Sequence, residues 1–210
     1  MEWKTSITGH FDGMPHVRGY NLVKLIEKAD FTQAVFLVLK GELPNSKEER
    51  MLNAILVSLI DHGLGPASTT AARTVMSAGN PLNTAVAAGV LAVGDHHAGA
   101  IENCAKLLQD AMKRKRPIAD TSRDIVERAR LDRSRIPGYG HPIYVTDPRT
   151  AAIIKIAEEL GYSGDYIKLA LQLEKDLENV IGKKLCLNID GVTAAVMSEM
   201  GFDYRMGKGF

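Results

Sequence analysis

Cysteine is nearly absent from this chain: Cys104 and Cys186 stand far apart and form no Cys-x-x-Cys unit. That scarcity argues against a disulfide-stapled scaffold or a cysteine-built structural zinc site, and it assigns both thiols to packing in a reducing compartment, the cytoplasm. Long apolar runs are missing too. Nothing approaches the 18 or so apolar residues of a membrane span, and Met1-Glu-Trp-Lys-Thr5 lacks a signal peptide's apolar stretch. Neither sign of charge dominates: 26 basic against 25 acidic residues leave a net charge of +1. This balance excludes a general nucleic-acid or membrane-surface binder and favours a small, local partner. There is also no P-loop, no Gly-x-Gly-x-x-Gly element, no internal repeat and no low-complexity segment. What remains is a chain of 210 residues, long enough to bury roughly 70% of its unfolded surface.

The hydrophobic pattern is helical almost throughout, so the fold class is all-α, with roughly nine helices expected. Only residues 1 to 20, punctuated by Gly9, Gly13, Pro15 and Gly19, read as an extended or hairpin segment. Asn21 caps a helix over 22–29, and a second over 32–40 ends at Gly41. Ser46-Lys-Glu-Glu49 reads as a capping box opening a helix that stops near His62-Gly63. Residues 68–78 and 82–93 form helices rich in Ala, Thr and Ser, whose small side chains allow close packing and suit a homodimer interface. Further helices are expected over 98–112, 122–130, 150–160, 166–181 and 190–200, followed by an irregular tail. The run Lys113-Arg-Lys-Arg-Pro117 is either a solvated helix end or a phosphate-binding surface.

One stretch carries most of the chemical information: Ile136-Pro-Gly-Tyr-Gly-His-Pro-Ile-Tyr-Val-Thr-Asp-Pro-Arg149. Its glycines permit unusual backbone angles and its prolines restrict them, so His141 should be held in place, with Arg149 at the mouth of the next helix. Arg149 can grip a carboxylate bidentately. This run resembles the most diagnostic motif of the citrate synthase family, Pro-Gly-Tyr or Phe-Gly-His followed by Asp-Pro-Arg. Three further segments match in order. Gly94-Asp-His-His-Ala-Gly-Ala-Ile-Glu102 resembles the family's glycine-flanked catalytic histidine, Asn188-Ile-Asp190 its Asn-Val-Asp or Asn-Ile-Asp, and Asp61-His-Gly63 its first substrate-binding histidine. The resemblance extends from about Arg18 to the end of the chain.

The resemblance implies a large helical domain, residues 1–102 and 186–210, with a small helical domain, residues 103–185, inserted into it. It also implies chemistry beside a thioester: Asp190 works at the α-carbon, His97 stabilises the enolate oxygen, and His141 handles the ketone or alcohol oxygen. His62 and Arg149 would orient the dicarboxylate. From the residues alone, His62 could equally complement a helix dipole and Asp190 could be a helix N-cap. His96 is assigned to the lining of the site, and His10 and His16 to surface or structural roles. Coenzyme A is the implied co-substrate, with no metal. Its adenine would lie near Ile136, Gly138 and Tyr139, while Arg133, Arg135 and the 113–116 run are candidates for its phosphates.

Departures from the family pattern refine this expectation. Gly-Asp-His-His-Ala-Gly-Ala-Ile-Glu replaces the usual Gly-Pro-Leu or Ala-His-Gly-Gly-Ala-Asn-Glu, and Asn-Ile-Asp-Gly replaces Asn-Val-Asp and a bulkier residue. Both variants look more like citryl-CoA lyases and the C-terminal module of ATP-citrate lyase. The family's further substrate-binding arginine, beyond the Asp190 helix, has no counterpart in residues 201–210. The expected activity is therefore cleavage of citryl-CoA to acetyl-CoA and oxaloacetate. Citrate synthase, a non-catalytic coenzyme A-binding homologue and a helical metallohydrolase are the alternatives.

Overall fold

The computed structural model describes residues 4–210, and their contacts separate two compact units that meet in sequence at Leu56–Val57. The expected hairpin heads the first unit, although residues 1–3 lie outside the described residues. Strands β1 (Thr8–Phe11) and β2 (Met14–Val17) pair antiparallel, Thr8 opposite Val17, and β3 (Tyr20–Asn21) adds to β2. Both turns need two successive positive φ angles, supplied by Asp12-Gly13 (50° and 73°) and Arg18-Gly19 (51° and 85°), the geometry that matches strand twist in a two-residue hairpin. The Arg18 guanidinium then donates to Ser6 Oγ and to the Val38 carbonyl.

Three helices complete this unit, the last running two residues past Leu56. Helix α1 (Leu22–Lys28) is capped by Asn21 as expected, and α2 (Phe31–Lys40) ends at Gly41 in the left-handed region. At α2 the Asp30 carboxylate accepts from Gln33 N while Gln33 caps Asp30 N in return. Helix α3 (Ser46–Ser58) begins one residue differently from the sequence reading. Asn45, not Ser46, accepts from Lys47 N and Glu48 N, and Glu48 rather than Glu49 returns to the Asn45 amide. Asparagine is a strong cap and sits the required three residues before a glutamate, so it wins over its neighbour. Gln33 to Glu49 and Thr32 to Asn53 hydrogen bonds join α2 and α3, and Phe36, Leu37, Met51, Leu52 and Ile55 are fully buried.

The second unit holds α4 (Ala67–Ser77), α5 (Leu82–Leu91), α6 (Gly99–Met112), α7 (Ile118–Leu131), α8 (Pro148–Leu160), α9 (Asp165–Ile181) and α10 (Ile189–Glu199). The division expected at 103 and 185 falls within it. Helix α10 is mostly apolar and is buried from Val192 to Ser198, as a central helix must be. It packs on α6, α8 and α9, which offer Ile101, Cys104 and Leu108, Ile153 and Ala157, and Ile167, Leu173 and Leu177. Glu199 at its end caps the start of α9, accepting from Tyr166 N and Ile167 N. The tail is not irregular: Tyr204–Gly209 is a 3₁₀ helix opened by Asp203 and packed on α6. Among the described residues no helix is long and apolar enough to cross a membrane.

Two glycines determine how closely α10 approaches the 136–147 loop. A Cβ on Gly191 would lie 2.4 Å from the Gly138 carbonyl oxygen, and one on Gly138 would lie 2.6 Å from Gly191 Cα. Backbone on both sides leaves nothing free to yield. Gly191→Ala should therefore destabilise the protein by about 1–3 kcal/mol or more, read as a lowered urea midpoint at unchanged slope. Gly65→Ala, where a Cβ meets nothing within 4 Å, should leave the midpoint in place.

Candidate active site

The 136–147 loop is laced to the segment before α10. Gly140 N donates to the Cys186 carbonyl, Asn188 N to the Gly138 carbonyl, and Asn188 Nδ2 to the Gly140 carbonyl at 2.9 Å. Gly138 and Gly140 reach these partners at φ of 86° and 87°. Tyr139 turns inward, donating its hydroxyl to the Ala170 carbonyl of α9, and burial pushes the phenol up from its ordinary range. His141 follows, locked on two sides. Its Nδ1 accepts from Ile143 N and Tyr144 N, both at 3.1 Å, and the Tyr144 ring stacks on it at 4.5 Å. In a neutral ring the proton then resides on Nε2, which is left as a donor.

Helix α10 presents Asp190. Its N-cap is Asn188, whose side chain accepts from Asp190 N and Gly191 N. The carboxylate of Asp190 is therefore spared the capping role and stays half-buried. Burial pushes it above the usual carboxylate range. His62, Arg149 and His141 oppose that shift and the neighbouring Asp147 adds to it. Three of the expected site residues thus lie within electrostatic reach of Asp190. The fourth, His97, joins them through His62, whose ring centre is 6.1 Å away.

His97 sits on a tight turn, with Gly94 N bonded to the His97 carbonyl and His97 N to the Gly94 carbonyl. Ala98 follows at φ 62° and opens α6. The ring is hydrogen-bonded through Nε2 to Ser68 Oγ on α4 at 2.8 Å. His96 is exposed and His10 and His16 belong to the hairpin.

Arg149 departs from expectation in one respect. Its Nε and Nη2 donate to Asp147 Oδ1 and Oδ2 at 3.0 and 2.9 Å, so the side-on edge of the guanidinium is taken within the protein. The end-on edge is left for a ligand. Burial pushes the Asp147 carboxyl up, but Arg149's hydrogen bonds and charge, with the Ile189 amide, outweigh it and hold the group below the usual range. Sequence reasoning missed Asp147, although a polar residue just before proline at a helix start is a visible N-cap signal. Nothing in the sequence signalled Ser68 as a partner of His97.

A pocket of about 620 Å³ adjoins the histidine loop, lined by Arg130, Arg133, Arg135, Ile136, Tyr139, Gly140, His141, Pro142, Leu177, Ile181 and Leu185. Arg133 and Arg135 carry no ion pair among the described residues. Gly138, expected there, is instead buried against Gly191 and the Cys104 sulfur. Cys104 is itself inert: burial, with the Asp190 charge, pushes its thiol up to about 12. A larger pocket of about 820 Å³ between α6 and α7 contains none of these histidines. It takes in Arg114 and Arg116 of the basic run, with Arg116 paired to Asp124, while Lys113 pairs with Asp110. Among the described residues no three His, Cys, Asp or Glu side chains cluster so as to hold a metal ion.

The chain is similar to a citryl-CoA lyase from Hydrogenobacter thermophilus, 47% identical, with a TM-score of 0.91 over 99% of this chain and 80% of that one. It is also similar to the citrate synthase of Haloferax volcanii, 32% identical over 192 residues, 88% of this chain and 48% of that protein. An ATP citrate lyase from Methanothrix soehngenii, solved with citrate and coenzyme A, shares the fold at a TM-score of 0.80 and 21% identity, over 96% of this chain and 33% of that one. The chain spans about half the length, or less, of the curated relatives it matches. Residues 44–209 match the C-terminal domain of citrate synthase, and the chain belongs to the citrate synthase family.

Proposed function

We propose that this protein cleaves citryl-CoA to acetyl-CoA and oxaloacetate. The observation that carries the reading is that His62, His141 and Arg149 act electrostatically on the half-buried Asp190, with His97 beside His62, in a chain that superposes on a citryl-CoA lyase at a TM-score of 0.91. With Nε2 of His97 on Ser68, Nδ1 is the nitrogen left for the thioester oxygen, where it stabilises the enolate. The raised carboxyl of Asp190 suits it to carry a proton and deliver it to the enolate carbon. His141 meets the alcohol oxygen. Its present tautomer, with Nε2–H outward, donates to the ketone of oxaloacetate; taking the alcohol proton requires the Nδ1–H form, with the amides of Ile143 and Tyr144 turned away. One proton then leaves oxygen and one arrives at carbon. His62 and the free edge of Arg149 take the carboxylates, and the pocket with Arg133, Arg135, Ile136 and Tyr139 takes coenzyme A. Residues 103–185 would close on the rest as ligand binds, and the cytoplasm is the compartment that suits two reduced thiols.

Purified protein given citryl-CoA should release acetyl-CoA and oxaloacetate, and should form little citrate from those two products. Free coenzyme A and citrate appearing from them at rates near the cleavage rate would make the protein a citrate synthase.

Asp190→Asn should lower turnover by about two orders of magnitude or more. Its effect on stability has the opposite sign from a core lesion. A carboxyl raised by burial favours folding most when protonated, and that contribution fades as pH climbs through its folded value. At pH 7 the neutral amide removes a poorly solvated charge, so the melting temperature should match or exceed that of the parent.

We further propose a homodimer through α4 and α5. Leu82, Val86 and Val90 recur every four residues along α5 and are 67%, 54% and 65% exposed; Leu91 of α5 and Met76 of α4 are exposed as well, so this helix pair presents large apolar side chains among its small residues. Val86→Asp with Val90→Asp should convert a dimer to a monomer by light scattering; a parent protein that is already monomeric at micromolar concentration would remove this reading.

A further inference from the structure

The Asp147 carboxylate is completely buried, yet it is not part of any core. Oδ1 accepts from Arg149 N and Arg149 Nε, both at 3.0 Å; Oδ2 accepts from Arg149 Nη2 at 2.9 Å and from Ile189 N at 3.1 Å. Four donors fill the four acceptor sites of an ionised carboxylate. They come from two places: the head of α8, which carries Arg149, and the first amide of α10, next to Asp190.

We propose that Asp147 is a positioning residue for the cleavage reaction, fixing which edge of Arg149 faces the substrate and holding the head of α10 at the His141 loop. The proposal rests on the reading above of Arg149 and Asp190 as site residues. A guanidinium has five donors in a rigid fork, and a side chain as long as arginine can present either the Nε–Nη2 edge or the Nη1–Nη2 edge to a carboxylate. Asp147 occupies the first and so selects the second. The same carboxylate pins the residue that precedes Asp190, so the group at the enolate carbon and the group at the substrate carboxylate share one anchor. Asn188 cannot replace it, because its side chain is spent on capping Asp190 and Gly191 and on the Gly140 carbonyl.

Asp147→Asn is the informative change. The amide has one acceptor oxygen where the carboxylate has two, so its NH2 group must face either Arg149 N and Nε or Arg149 Nη2 and Ile189 N, donor against donor, and both orientations break the hold on Arg149. With Arg149 released, KM for citryl-CoA should rise by about tenfold, and with Asp190 displaced, kcat should fall by about tenfold or more. The two effects separate in an Arg149→Gln background: there the Asp147→Asn change should leave KM nearly unaltered while still lowering kcat. A variant that only loses thermal stability or active fraction, with parental KM and kcat per folded molecule, overturns the proposal. So does an unchanged rise in KM in the Arg149→Gln background. Should Asp147→Asn fail to fold, the parent protein decides by nitrogen-15 NMR of its arginines. Arg149 Nε–H should exchange slowly with solvent and stay in place on addition of oxaloacetate, while its Nη signals move. An Nε–H that exchanges as in free arginine, or shifts with oxaloacetate, also overturns the proposal. If the parent does not cleave citryl-CoA the functional reading fails, and Nε–H protection in the ligand-free protein still tests the anchor.

Discussion

The contact between the 138–140 loop and the 186–191 segment is the constraint on which the site depends. Gly138 and Gly191 touch backbone to backbone, and the loop is then stitched to the chain before α10 through Gly140 N, Asn188 N and Asn188 Nδ2. A side chain at either glycine would hold the loop away from the helix. Because His141 follows the first surface and Asp190 adjoins the second, their separation follows from packing of main chain, with no flexible side chain between them. Cys104 lies beneath Gly138, and its thiol is too strongly suppressed by burial to react, which suits a residue that serves as a floor.

Charge at the site is arranged as a set of opposed pairs. Asp190 is pushed up by burial and pulled back by His62, Arg149 and His141, whereas Asp147, more deeply enclosed, is held down by Arg149. Two carboxylates near one another thus take different protonation behaviour from their hydrogen bonding. Asp147 has its acceptors filled, including by the guanidinium, and remains an anion. Asp190 has its amide, and not its carboxylate, engaged by the cap, so its oxygens are free for chemistry. The imidazoles are restrained by neutral partners, Ser68 for His97 and backbone amides for His141, and each bond engages only one of the two ring nitrogens.

Much of this was legible before folding. Asp12-Gly13 and Arg18-Gly19 sit where strands turn, Gly41, Gly161 and Gly182 end helices in the left-handed region, and the helical period elsewhere was strong enough to place the helices. Boundaries were less legible where several residues could do the same work. Asn45 and Ser46 are both competent caps, as are Asn188 and Asp190, and one or two residues of difference decide which side chain does the capping. The tail looked irregular because glycines at 207 and 209 break helical pattern, yet Gly207 is there to let the 3₁₀ turn press against the backbone of Glu102.

By itself, then, the sequence determined the helical class, the punctuation of most of its elements and which residue types are candidates for chemistry, because these depend on local period, on backbone freedom and on side-chain type. Tertiary structure decided the rest. That Arg149 offers only its end-on edge, that Gly138 lies beneath the site and not on its wall, and that Ser68 holds His97 all depend on groups brought together from distant parts of the chain. A pattern along the chain records what each residue can bond to. Which partner it meets is settled only when helices pack and buried polar atoms must each find one.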